Sequence, residues 1–194
     1  MKKLKTFLVL LFIVTVTTAF AQPRAGIKGG VNISQLTGYV GGNLTGFHAG
    51  FFVNTSLSKS LSVHPELIYS GEGQKYIFFL EEEIPVDATI GLGYVHLPVM
   101  FQFYPTKQFY IETGPQLGVL VTAASKVTEG EKLNVKRSFT NTQFAWNLGL
   151  GLNMKNNIGF YARYNYGLSD ITLYNNEKDY SRVVNVGIKI SFNK

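Results

Sequence analysis

Eight segments of this chain, at residues 25–35, 46–57, 61–71, 92–104, 108–123, 142–153, 157–168 and 180–192, alternate apolar with small polar residues. The links between them are short and long in strict turn. A period of two places successive side chains on opposite faces of an extended strand. Beyond the first twenty residues no stretch sustains the 3.6-residue apolar period of an amphipathic helix, so the chain reads as all-β. The segments run to about 11 to 16 residues, longer than the typical soluble strand of about 5 to 6 and enough to cross a bilayer at a steep tilt.

The two faces differ in chemistry. In the sixth segment Phe144, Trp146, Leu148, Leu150 and Leu152 share one side, opposite Gln143, Ala145, Asn147, Gly149, Gly151 and Asn153. The fourth, fifth and eighth repeat the pattern, with Val95, Leu97, Val99, Phe101 and Phe103 against Tyr94, His96, Met100 and Gln102 in the fourth. A soluble barrel alternates too, but its polar face meets water and carries many Lys and Glu. Here that face is mostly Gly, Asn, Ser, Gln and Tyr, including Gly30, Asn32, Gly50, Ser70, Gly118, Asn147 and Gly187. Small uncharged side chains suit a cramped interior, which turns the aliphatic face toward lipid.

Link lengths test this independently. Ser58 to Ser60, Pro105 to Lys107 and Met154 to Asn156 are turns, whereas Leu36–Thr45, Glu72–Gly91, Ala124–Asn141 and Ser169–Asp179 read as long loops. Short periplasmic turns and long outer loops are the habit of outer-membrane barrels. The expected fold is an eight-stranded antiparallel up-and-down transmembrane β-barrel. Its aromatic girdle would hold Phe103, Phe109, Phe160 and Phe192 near the periplasmic rim and Phe47, Phe144, Tyr166 and Tyr180 near the outer one.

Residues 1–21 carry Lys2, Lys3 and Lys5, an apolar run from Phe7 to Val16, and Ala19-Phe20-Ala21, the three-part layout of a cleaved export signal. A membrane helix is the rival reading, and Thr15, Thr17 and Thr18 dilute it. Residues 22–194 would then form one barrel domain in the outer membrane. The formal charge of +6 includes the three signal lysines, so +3 remains, which is no nucleic-acid footprint. There is no cysteine, hence no disulfide and no lipid-anchored Cys.

Five charged residues fall on the inward face: Lys28, Arg163 and Lys189 against Glu66 and Glu112. Buried charges persist when paired, so these are expected to form one lumen network, either filling the interior or gating a narrow path. His48, His64 and His96 also face inward, at heights that place His48 near the outer rim, His64 near the periplasmic rim and His96 between, too far apart for one metal. An enzyme of the outer membrane would need a nucleophile or water beside a His and an acid; His48 with Asp87, Asp170 or Glu177 is the candidate set, tied by no spacing. Glu81, Glu82, Glu83 and Asp87 form an acidic patch that reads as a solvated loop tip or a divalent-ion bridge to lipopolysaccharide. Tyr76 to Leu80 is strongly apolar for a loop, which fits a hairpin raised above the membrane or a docking patch for a protein partner. No nucleotide, redox or metal motif is present, so no cofactor is expected.

Several segments resemble the PorT-type outer-membrane β-barrel family common in bacteria with type IX secretion. Gly26-Ile27-Lys28-Gly29-Gly30-Val31-Asn32-Ile33-Ser34 is similar to its opening strand, and Tyr94-Val95-His96-Leu97-Pro98-Val99 to its Tyr-Leu-Glu-Ile-Pro-Leu motif, with His96 where an acid is usual. Phe109 to Pro115, Gly149-Leu150-Gly151 and Arg163 to Ile171 resemble later segments, and Gly187 to Phe192 the closing strand read by the barrel assembly machinery. The resemblance implies an integral outer-membrane protein, in contact with lipid and lipopolysaccharide, with some relatives linked to export or gliding machinery. Two functional readings follow: a plugged barrel acting through its outer loops or within a surface assembly, and a small passive pore. An outer-membrane enzyme comes third.

Overall fold

A computed structural model describes residues 23–38, 41–80, 84–127, 132–173 and 178–192. Its strands are β1 (Arg24–Leu36), β2 (Leu44–Ser56), β3 (Leu61–Leu80), β4 (Ile84–Phe103), β5 (Phe109–Val127), the short β6 (Lys132–Asn134), β7 (Thr142–Asn153), β8 (Ile158–Gly167) and β9 (Ser181–Ser191). Each long strand pairs antiparallel with its sequence neighbour, and β1 pairs with β9 from Gly26↔Ser191 to Leu36↔Ser181. The eight long strands therefore close a ring with no free edge, while β6 adds only to the end of β5.

The ring is inside-out relative to a soluble protein. Phe51, Phe101, Trp146, Leu148, Phe160, Val186 and Ile188 are exposed around the outside, whereas Asn32, Gln102, Glu112, Asn147 and Arg163 are buried within. Water would penalise so continuous an apolar belt, and hydrocarbon would not. Within the expected girdle, Phe47, Phe103, Phe144, Phe160, Tyr166 and Phe192 are exposed. Phe109 and Tyr180 are only half-exposed, and Tyr180 packs beside the Arg182 guanidinium, 5.6 Å from its ring.

Three turns close the end that carries Arg24. Ser58 Oγ accepts from the Leu61 N–H at 3.1 Å, and Thr106 Oγ1 from the Phe109 N–H at 3.0 Å. Asn157 takes the left-handed conformation, φ 63°, that the tight β7–β8 turn requires.

The opposite end departs from the sequence reading. Glu72–Gly91, expected as a loop, is mostly strand: β3 and β4 continue as a hairpin, with Ile77 opposite Asp87 and Tyr76 opposite Ala88. Periodicity was broken there by Gly73, whose φ of +149° no side chain favours, and by a register shift at Gly93/Tyr94. Asp87 thus belongs to β4 and not to a loop tip; Glu81, Glu82 and Glu83 lie outside the described residues.

Candidate functional site

Side chains fill the lumen in layers. At the long-loop end Leu36, Ile90, Leu92, Tyr94 and Leu120 point inward and pack with Phe139 and Ile171, which come from the links flanking β7 and β8. Those two links are stitched together: the Thr140 N–H donates to Ile171 O at 2.8 Å, the Leu173 N–H to Ser138 O at 3.1 Å, and Phe139 pairs with Thr172. The result is an apolar stopper, with Ile171 fully buried and Phe139 nearly so.

Beneath the stopper lies a polar layer. His96 Nε2 meets Glu72 Oε1 at 2.8 Å, and the Gln116 amide donates to His96 Nδ1 at 3.0 Å. Glu72 also accepts from Ser70 and Ser181 hydroxyls at 2.9 and 3.2 Å. His48 accepts the Tyr161 hydroxyl proton at Nε2 and donates from Nδ1 to Asn32 Oδ1. His48 is therefore not at the outer rim. It lines, with His96, Glu72 and Arg163, one cavity of about 20 Å³, room for about a single water molecule. The ring of His48 is held by Asn32 and Tyr161 rather than by an acid, and Asp170 instead bonds the Thr172 and Asp179 N–H groups at 3.1 and 3.2 Å. The set His48, Asp87 and Asp170 is not assembled, and Glu177 lies outside the described residues.

The next layer is ionic. Arg163 donates from both terminal nitrogens to Glu66, at 2.9 and 2.8 Å, and from Nε to Glu112 at 2.8 Å. The Lys28 ammonium donates to Glu66 at 3.0 Å and sits 3.8 Å from the centre of the Tyr161 ring. Glu112 accepts from the Gln102 amide at 2.8 Å, and His64 Nε2 lies 3.3 Å from Glu66. Four of the five inward charges so join β1, β3, β5 and β8, each 6 % exposed or less. Charges this dry are tolerated because each hydrogen-bonds an opposite partner.

Lys189, the fifth, stands apart. Among the described residues it has no carboxylate partner; its ammonium lies 4.1 Å from the centre of the Tyr110 ring, on the short-turn side of the ionic layer. Residue alternation assigns a face but not a height along the barrel axis, and height decides which charges meet. Glu72 joins the lumen layers because β3 runs on through it, where the sequence pattern predicts a loop. Below Lys189 lies a vestibule of about 520 Å³, lined by residues of the three short turns.

A family model described as an outer membrane protein beta-barrel domain matches residues 20–173. Ail, the attachment invasion locus protein of Yersinia pestis, solved in complex with the heparin analogue sucrose octasulfate, is 19 % identical, with 89 % of this chain and 100 % of that one covered at a TM-score of 0.50. A second Ail structure gives 18 % identity, the same coverage of 89 % and 100 %, and a TM-score of 0.51. Neisserial surface protein A is 12 % identical over 88 % of this chain and 97 % of its own, with a TM-score of 0.49. At such identities the likeness is one of fold. No curated protein matches the sequence.

Proposed function

Because this chain belongs to the outer membrane protein beta-barrel domain family, we propose that it is a sealed outer-membrane barrel that works through its outer hairpin and loops as an accessory to a surface or secretion assembly. The observation that carries the reading is the double closure of the lumen, an apolar stopper around Phe139 and Ile171 above the Arg163–Glu66–Glu112–Lys28 layer. A solute would have to break both. With transport blocked, a feature placed to meet other molecules at the long-loop end is the β3–β4 hairpin, where Ile77 is 50 % exposed at a level beyond the buried Leu92 and Ile90.

In this reading residues 1–21 are the export signal, the three short turns face the periplasm, and the closing strand β9 with the following Phe192 engages the barrel assembly machinery. Lipid covers the apolar belt and lipopolysaccharide surrounds the outer rim. Gly26–Ser34 and Tyr94–Val99 resemble segments of the PorT-type family, some of whose members are linked to export or gliding machinery, and that resemblance is what suggests such an assembly here. A passive pore is the second reading, and it would need the Arg163 side chain displaced from two carboxylates.

Native-membrane co-purification tests the proposal. A partner held by the full chain should be lost when residues 76–88 are removed, while heat-modifiable gel mobility, the sign of a closed barrel, is kept. Retention of the same partner by the shortened hairpin would count against it.

A further inference from the structure

We propose that the vestibule at the short-turn end is a binding site for a compact polyanion, a solute carrying phosphate groups or several carboxylates. Among the described residues its lining holds Arg24, Lys59, Lys107, Lys155 and Lys189 and not one Asp or Glu. Four of these cations stand at the mouth, exposed, on the first strand and on each of the three turns. Lys189 forms the floor. Cations gathered around a concave, low-dielectric wall focus their potential into the space they enclose.

The floor residue is the decisive one. Lys189 is 4 % exposed, yet among the described residues no carboxylate or hydrogen-bond acceptor meets its ammonium, which has only the Tyr110 ring at 4.1 Å and the Phe52 ring at 5.9 Å. Its stem is accommodated by Gly159, where a Cβ would come within 2.8 Å of Lys189 Cε. The buried lumen acids are committed elsewhere: Glu66 to Arg163 and Lys28, Glu112 to Arg163 and Gln102, Glu72 to His96. A buried ammonium with up to three unused donors is costly unless something supplies the acceptors, and the cavity beside it is where they would come from.

Size narrows the ligand. About 520 Å³ falls within the range of about 300 to 1,000 Å³ usual for small-molecule sites and cannot admit a folded domain. The ligand enters from the short-turn side, since the ionic layer closes the path above. The site is independent of any partner recruited by the outer hairpin.

Isothermal titration of the detergent-solubilised full-length protein at low salt tests the proposal, with sodium tripolyphosphate in one arm and trisodium citrate in the other to separate phosphate from carboxylate ligands. Wild type should bind at least one of them saturably. Lys189→Met, or the paired rim change Lys107→Gln with Lys155→Gln, should weaken that binding about tenfold or more. The control pair Lys132→Gln with Lys136→Gln, at the opposite end, should leave it unchanged. The rim pair lies on exposed turns and does not depend on the lumen folding around a changed floor. Absence of saturable binding to both probes, binding indifferent to the vestibule changes, or equal loss in the control pair would overturn the proposal.

Discussion

Arg163 on β8 grips Glu66 on β3 through two parallel N–H···O contacts of 2.9 and 2.8 Å, joining residues 97 apart in sequence across the barrel interior. Neither strand pairs with the other in the ring. The contact therefore braces the lumen across its width as well as filling it, and Glu112 completes the clamp from β5 at 2.8 Å.

Removing one member of this clamp leaves a buried charge uncompensated. Glu66→Gln should lower the unfolding free energy by about 3 to 5 kcal/mol, because Arg163 and Lys28 lose their shared carboxylate. Urea titration in detergent micelles measures it. Glu66→Leu combined with Arg163→Met should cost less than the sum of the two single changes, since the double variant strands fewer charges. Strict additivity would mean that the two side chains do not act as a pair.

The solvent outside the wall can be read from two leucines of equal exposure. Leu148 on β7 is 60 % exposed and Leu133 on β6 is 63 % exposed. If hydrocarbon covers the first and water the second, Leu148→Arg should cost about 2 to 4 kcal/mol near the bilayer midplane. Leu133→Arg should stay within about 0.5 kcal/mol. Refolding titrations into lipid vesicles give both values, and equal costs would contradict the facing assignment.

The stopper is expected to open locally. Phe139→Ala removes a ring that is 4 % exposed and loosens the stitched links at Ser138, Thr140 and Ile171. Limited proteolysis of intact cells should then cut near residues 136–140, where wild type resists. The ionic layer beneath is untouched, so the barrel should stay closed to ions.

Asp170 gives the β8–β9 link a pH dependence. Slight burial pushes its carboxyl up, but donation from the Thr172 and Asp179 N–H groups and the Thr172 hydroxyl, with Lys178 nearby, outweighs this and holds it below the usual carboxylate range. A depressed carboxylate stabilises the fold above its ordinary pKa, and that contribution is lost as pH falls through the lowered value. Protease resistance around residues 170–173 should thus be full at neutral pH and decline only in strong acid. Asp170→Asn should remove that decline by weakening the segment at neutral pH to about the level that wild type reaches in strong acid.

Much of this architecture is legible in the sequence, because a two-residue period marks each strand and the chemistry of its two faces identifies the solvents. Leu148, Trp146 and Phe101 face outward, and Lys28, Glu66, Glu112 and Arg163 inward, as alternation requires. Three features escape that logic. The apolar run from Tyr76 to Leu80 points to a β3–β4 hairpin, but its continuity with the barrel strands hides behind Gly73 and the shift at Gly93/Tyr94, which break the period. The stopper is built from Leu36, Ile90, Leu92 and Leu120, side chains chemically identical to those facing lipid, together with two link residues that obey no period. Axial height depends on how strongly the strands are sheared, so alternation could not tell that His48 and His96 flank one cavity or that Lys189 misses the carboxylates.

Planar-bilayer recording of the purified protein measures the seal itself. With Phe139 and Ile171 stoppering one level and Arg163 bound to Glu66 and Glu112 at the next, wild type is expected to insert without any steady current. A stable unitary conductance whose size changes on Arg163→Ala would contradict the closed lumen.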